Sequence, residues 1–224
     1  MRFVVFARHW TLATTAMEWF STLSLALGSA WTSGINLYAT VTMLGLLQKF
    51  GSVKLPGGLE VLDNWWIIGV AGGLYVVEFF ADKFPYVDSV WDVIHTFIRV
   101  PAGAIVAWAA VSDMDASVVI PATLIGGGLA LSSHGTKATA RIAANLSPEP
   151  VSNAILSLVE DAIAIVGVLL AVFAPVLIAI VLVVFLLFFF WFFPKILRAI
   201  KRLFSAVAAF FRGESFETIA KKAG

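Results

Sequence analysis

The sequence predicts an all-α polytopic membrane protein of about six transmembrane helices, arranged as two inverted three-helix repeats with broken first helices. Three observations carry this prediction. Of the 224 residues, 60% are hydrophobic and only 13% charged; the mean hydropathy is +0.95; and the apolar residues fall into long runs parted by short glycine-, proline- or charge-bearing breaks. Such a chain cannot coat itself with polar groups, so lipid is its solvent. A hydrocarbon core of about 30 Å takes roughly 20 residues per helix, so the length suits one membrane domain over the whole chain. With no cysteine, disulfides, thiolate metal sites and cysteine nucleophiles are excluded. The net charge of +1 gives no attraction for a polyanion, so the expected partner is the lipid bilayer and not nucleic acid.

The first repeat is expected over 17–111. Its first apolar stretch, 17–47, is too long for one straight span and is interrupted by Ser29, Thr32, Ser33, Gly34 and Asn36, which predicts a broken helix. Arg2 and Arg8 ahead of small Gly28 and Ala30 imitate a signal peptide. Glu18 lies inside the supposed apolar core and apolar sequence continues past it, so a retained span is expected. Residues 48–64, with Gly51, Pro56, Gly57 and Gly58, predict a loop. The second span is expected over 65–81, with paired tryptophans at the interface and Gly69, Gly72 and Gly73 allowing close helix approach. A turn at Pro85 leads to a third span over 87–111 and an acidic loop with Asp113 and Asp115.

The second repeat is expected over 117–194. Its first span, from about Val118, is expected to break at Gly126, Gly127 and Gly128 and again at Ser132, Ser133, His134 and Gly135, and to end at Pro148 and Pro150. A fifth span follows over 151–171. Residues 162–193 carry no polar side chain, enough for two spans with a break near Pro175. In the tail, 195–224, Lys195, Arg198, Lys201 and Arg202 alternate with Ile196, Leu197, Ile200, Leu203 and Phe204. This reads either as a basic amphipathic helix on an anionic membrane face or as a plain stop-transfer tail. Ten Lys and Arg fall on the side shared by both termini, two on the other and three within spans, which places both termini in the cytoplasm.

The repeat itself rests on a shift of 101 positions, which aligns Thr22-Leu23 with Thr123-Leu124, Gly34 with Gly135 and Ala39 with Ala140. Each broken helix then precedes a span with Val-Glu, at Val77-Glu78 and Val159-Glu160, and one with an early proline, Pro101 and Pro175. Three spans per unit is odd, so tandem units must be inverted.

The chemistry lies in charges that no loop accommodates. Asp88, Asp92, His95 and Arg99 are spaced four, three and four and share one helix face. His134, Lys137, Arg141 and Asn145 repeat this at three, four and four; Glu78 and Asp82 form an i, i+4 pair, and Glu160 and Asp161 are adjacent. An ionisable group at the centre of a span costs about 2.5–3.5 kcal/mol, so these side chains are expected to turn inward and pair. Counting Lys83 as a fourth base beside Arg99, Lys137 and Arg141, six acids leave an excess of about two negative charges. That suits a proton or metal cation site, with a structural ion-pair network as the alternative. At the breaks, Ser33, Gly34 and Asn36, and Ser133 and Gly135, would expose half-helix amides to an anion, reinforced by Lys137 and Arg141 in the second. A glycine-permitted kink is the plainer reading.

The stretch Ala81-Asp82-Lys83-Phe84-Pro85, continuing through Val87-Asp88-Ser89 to His95-Thr96-Phe97-Ile98-Arg99 and Pro101-Ala102-Gly103, resembles a bacterial family known as domain of unknown function 4126. His134-Gly135-Thr136-Lys137 and Ser157-Leu158-Val159-Glu160-Asp161 resemble it too, and the resemblance spans 25–182. It implies an uncharacterised polytopic protein of the bacterial inner membrane and supplies no substrate.

The function expected is that of a small, non-enzymatic, transporter-like protein, proton- or cation-coupled and without cofactor. Alternatives are a membrane scaffold or accessory subunit, or a channel. A lipid head-group enzyme would use Asp88 and Asp92 as a D-x3-D pair for Mg²⁺, but the longer glycine and arginine signature of such enzymes is missing, as are H-E-x-x-H and G-x-S-x-G. Small-residue faces at Gly69, Gly72 and Gly126 to Gly128 permit a homo-oligomer.

Overall fold

Long apolar runs ended by proline and asparagine fold, in the computed structural model, into helices alone; residues 2–51, 53–145 and 150–211 are described, and no strand occurs among them. In chain order these are α1 (Arg2–Ile35), α2 (Leu37–Phe50), a 3-10 segment (Gly57–Asp63), α3 (Trp65–Ala81), α4 (Pro85–Ala110), α5 (Ala116–Asn145), α6 (Pro150–Phe173) and α7 (Pro175–Phe211). Two compact units divide the chain, Met1–Leu182 and Val183–Gly224.

In the first unit α1 is the internal helix. It lies against α4, α5 and α6, and residues 28–37 are buried without exception. α2 packs on α3, on the 3-10 segment and on α6. Missing side chains make the closest approaches possible. A Cβ on Gly34 would collide with Ser133 Oγ and the Ala130 carbonyl, and one on Gly126 would collide with the Ala107 Cβ. Ser133 Oγ uses the first of these approaches to donate 2.7 Å to the Trp31 carbonyl. In the second unit, the aromatic side chains of one helix stack along its length, with Phe188 on Phe192 and Phe189 on Phe193.

Four helical stretches are long and apolar enough to cross a membrane: Val90–Ala110, Ala116–Ala144, Ser152–Phe173 and Pro175–Lys195. The 3-10 segment and α3, bent by 77° at their junction, make a fifth if taken together. The chain is thus a helical integral membrane protein. α1 is not among these spans, because Glu18, Ser21, Thr22, Ser24, Ser29, Thr32 and Ser33 dilute its apolar character. α2 has only 14 residues.

Of the two expected breaks, the first is present, at Asn36 with Ser33 and Gly34 still helical, and the second is corrected. Asn36 is extended, at φ −146° and ψ 100°, and caps α2 by accepting from the Ala39 N–H at 2.9 Å. The second does not exist. α5 runs unbroken through Gly126, Ser133 and Gly135. An interior glycine costs only about 1 kcal/mol against alanine, and the hydroxyls of Ser132, Thr136 and Thr139 donate to carbonyls of their own helix at 2.8–2.9 Å. The break at Pro175 is present. Pro194, by contrast, interrupts nothing: α7 continues through it to Phe211, so the basic residues from Lys195 to Arg202 prolong the apolar helix. Pro148 and the tail residues 212–224 lie outside the described residues.

Candidate functional site

Four helices deliver charge to one place. Glu78 and Asp82 close α3, Asp88 to Arg99 occupy the first half of α4, His134 to Arg141 the last third of α5, and Glu160 and Asp161 the middle of α6. The helical period turns each set to one face, and those faces meet. All of these residues are at most 6% exposed.

Three cations organise the cluster. Lys137 Nζ is the hub, at 3.2 Å from Asp82, 3.3 Å from Glu78, 3.6 Å from Glu160 and 3.8 Å from Asp92. Arg99 Nη2 pairs with Glu78, while its Nη1 reaches Asp92 Oδ1 at 3.4 Å. Arg141 donates from Nε to both Glu160 oxygens at 3.1 Å, from Nη1 to the Asp82 carbonyl at 2.7 Å and from Nη2 to Asp82 Oδ2 at 3.0 Å, and its Nη1 lies 3.3 Å from Asp88. Lys83, counted as a fourth base from sequence, is turned away: it donates to the Phe79 carbonyl at 2.8 Å and sits 3.1 Å from the Phe79 ring centroid. Six buried carboxyls therefore accompany three cations, five of them ion-paired and the sixth, Asp161, bonded to Asn36.

The surplus is visible atom by atom. Among the described residues, Glu78 Oε2, Asp82 Oδ1, both oxygens of Asp88, Asp92 Oδ2 and Asp161 Oδ2 are buried without a hydrogen-bond partner. Asp161 Oδ1 accepts from Asn36 Nδ2 at 2.9 Å, which ties the α1/α2 break to α6. Asp88 lies just ahead of the apolar span Val90–Ala110. Burial raises its carboxyl to about 7, against the attraction of Arg141 and with the help of Asp92 and Asp82. Among the described residues no group of three or more His, Asp or Glu is arranged to hold a metal ion.

The histidines hold opposite tautomers. His134 Nδ1 faces Arg99 Nη1 at 3.1 Å, and a guanidinium only donates, so Nδ1 must accept. Thr96 spends its proton on the Asp92 carbonyl, so His134 Nε2 donates to Thr96 Oγ1 at 2.7 Å. His134 is thereby fixed neutral. His95 is turned out of the cluster. It stacks on Trp91, donates from Nδ1 to the Trp91 carbonyl at 2.7 Å and meets the Tyr38 hydroxyl at Nε2, 2.9 Å away. A hydroxyl both donates and accepts, so His95 can take up a proton and keep both bonds.

A family model described as Domain of unknown function (DUF4126) matches residues 23–195. The chain belongs to that family. Neither the curated proteins nor the solved structures contain a match. The matched part of this DUF4126 protein contains the whole ionic cluster, from Glu78 to Asp161, and the Asn36 break.

Of the residues singled out from sequence, Glu78, Asp82, Asp88, Asp92, Arg99, Lys137, Arg141 and Glu160 form one ion-paired set; His134, Asp161 and Asn36 adjoin it; His95 stands at its edge. Ser33 donates to the Ser29 carbonyl within α1, and Gly135 is an interior residue of α5 with open space at its Cβ position. The anion site expected at Ser133 and Gly135 falls with the missing break. Tyr38 and Asn153 escaped the sequence reading, and Thr96 and Ser157 entered it only as motif residues; Asn153 and Ser157 are both fully buried. The last two had a signal: Asn153, Ser157 and Glu160 are spaced four and three, the interval already read on α4 and α5.

Proposed function

We propose that this DUF4126 protein is a small proton-coupled carrier of the bacterial inner membrane, with both termini cytoplasmic and no enzymatic activity of its own. One observation carries this reading: six carboxyls are buried with three cations, five of them ion-paired and Asp161 on Asn36, and several of their oxygens have no donor among the described residues. A buried unpaired charge is costly, and a proton removes it. A proton suits the site better than a metal ion, because the carboxylates are drawn onto Lys137, Arg99 and Arg141 and do not converge on a point. Asp88 and Asp92 likewise face arginine and lysine, which disfavours a D-x3-D magnesium site. The inverted-repeat reading draws support from Glu78 and Glu160, the glutamates of the Val-Glu pair in each repeat, both within 3.6 Å of Lys137. The crossing of α1 and α5 at Gly34 and Ser133 supports it further.

Proteoliposomes loaded with a pH-reporting dye test the proposal. An imposed pH gradient and membrane potential should drive proton flux, and Asp92→Asn and Glu160→Gln should each lower it about tenfold. Absence of flux, or equal flux in both variants, overturns the reading. A structural brace is the second reading, favoured by Lys137 and Arg141 each joining carboxyls at the end of α3, on α4 and on α6. In that case the exchange Arg141→Glu with Glu160→Arg preserves stability and whatever activity is measured.

A further inference from the structure

Beside the ionic cluster lies a groove of about 530 Å³ between α2, α3 and α4, whose walls include Leu37, Trp66, Val70, Leu74 and Ile105. Two features set it apart from an ordinary packing defect. The first is chemical: among its lining side chains the only polar groups are the Tyr38 hydroxyl and the Trp66 indole. The second is its opening. α3 and α4 follow one another in the chain but hardly touch, and Val70 and Ile105 on its walls are 59% and 60% exposed. A slot with exposed apolar walls beside the membrane span Val90–Ala110 is reached by lipid and not by an aqueous solute. Its volume falls within the range of small-molecule pockets.

We propose that the groove binds one acyl chain of a bilayer phospholipid and that Tyr38 reports its presence to the ionic cluster through His95. Tyr38 lines the groove, and its hydroxyl lies 2.9 Å from His95 Nε2. His95 shares a face of α4 with Asp92 and Arg99, both members of the cluster. A chain seated against the Tyr38 ring holds that ring, and so holds the hydroxyl on His95. An empty groove leaves it free to turn. The binding claim stands on the groove alone; the relay rests on the proton-carrier reading.

The two are separated by one experiment in two arms. Purified full-length protein in liposomes containing a phospholipid with a diazirine in its acyl chain is illuminated and mapped by peptide. Labelling of 62–74 and 102–106 is expected to exceed that of 176–193 on α7 about tenfold. Val70→Trp and Ile105→Trp, both at exposed positions that tolerate a large side chain, should each remove that excess and leave the α7 signal unchanged. Tyr38→Phe should keep the labelling and abolish the dependence of proton flux on lipid chain length. Equal labelling of α3, α4 and α7, or labelling indifferent to both tryptophans, overturns the binding site as annular lipid only. Labelling as expected, with the chain-length dependence of flux intact in Tyr38→Phe, overturns the relay. Labelling as expected in a protein that carries no proton flux overturns the carrier reading, and the relay with it, and leaves the acyl site standing.

Discussion

Arg141 on α5 grips Glu160 on α6 from the side, with Nε 3.1 Å from both carboxylate oxygens and Nη2 closed onto Oε2. The same guanidinium reaches Asp82 of α3 and Asp88 of α4. Removing it takes a partner from three buried carboxyls at once, leaving Asp82 and Glu160 to Lys137, and Asp88 with no cation among the described residues. Breaking a buried ion pair from one side costs about 3–5 kcal/mol, so Arg141→Ala is expected to lose at least that. Arg141→Lys keeps the charge but not the planar fork and should fall between. Glu160→Gln keeps an acceptor, relieves part of the negative surplus and should cost least. Thermal unfolding in detergent, followed by the fluorescence of the eight tryptophans, gives the order. Glu160→Gln proving as damaging as Arg141→Ala would contradict it.

Asp88 predicts a pH dependence of defined sign. Its carboxyl, raised from 3.8 to about 7 chiefly by burial, keeps its proton in the folded chain where the unfolded chain gives it up. Stability from this group is therefore complete below pH 3.8 and is lost as the pH rises through about 7. Asparagine mimics the protonated form at every pH. Asp88→Asn should match the wild type near pH 4 and melt above it near pH 8, by about 2–4 °C for each kcal/mol recovered. A variant less stable than the wild type at the higher pH would mean that the Arg141 contact outweighs burial.

The charged faces of α4 and α5 were legible because two physical constraints agree on them. The helical period puts residues four, three and four apart on one side, and the cost of an unpaired charge in lipid turns that side inward. The partners on α3 and α6 followed from the same cost. What period alone does not resolve is which neighbour each residue meets. His95 shares the face of Asp92 and Arg99, yet it meets Tyr38, 57 residues earlier in the chain. The first break falls on Asn36, the last of the three residues expected there, and the second is missing, for a related reason. Glycine reads as a point of weakness in one dimension, but Gly34 is small so that Ser133 and Ala130 can approach, and the chain turns two residues later where Asn36 caps α2. The serines of α5 read as breakers because their own back-bonding to α5 carbonyls is invisible in composition. α1 fell short as a membrane span for the reason that makes it central: its small polar side chains suit contact with protein and not with lipid.

Gly34 and Gly135, aligned by the shift of 101 positions, should respond oppositely to alanine. At Gly34 the new methyl meets Ser133 Oγ and the Ala130 backbone, neither of which has room to yield, so Gly34→Ala should cost about 1–3 kcal/mol. At Gly135 nothing lies within 4 Å of the added carbon. Gly135→Ala should be neutral, or stabilising by up to about 1 kcal/mol, through helix propensity alone. Comparing the two melting temperatures distinguishes a close helix crossing from a glycine kept for flexibility. Equal losses at both sites would point to flexibility.

Asn36 has two tasks, and its variants separate them. Its Oδ1 caps α2 by accepting from the Ala39 N–H, and its Nδ2 donates to Asp161 Oδ1, each at 2.9 Å. Asn36→Ala loses the cap, about 1 kcal/mol, and strands a buried carboxylate, about 1–3 kcal/mol more. Asn36→Asp restores the cap acceptor but removes the donor and sets a second carboxyl against Asp161. If capping dominates, the aspartate variant will be the milder of the two. The burial of Asp161, whose Oδ2 already lacks a partner, argues for the reverse order. Asn36→Asp should melt below Asn36→Ala at neutral pH and recover as the medium is acidified and one of the paired carboxyls becomes a donor. Adding Asp161→Asn to Asn36→Asp returns a donor to the pair with the roles exchanged, and should restore most of the lost stability. A double variant no better than Asn36→Asp alone would show that α2 is held by its cap and not by α6.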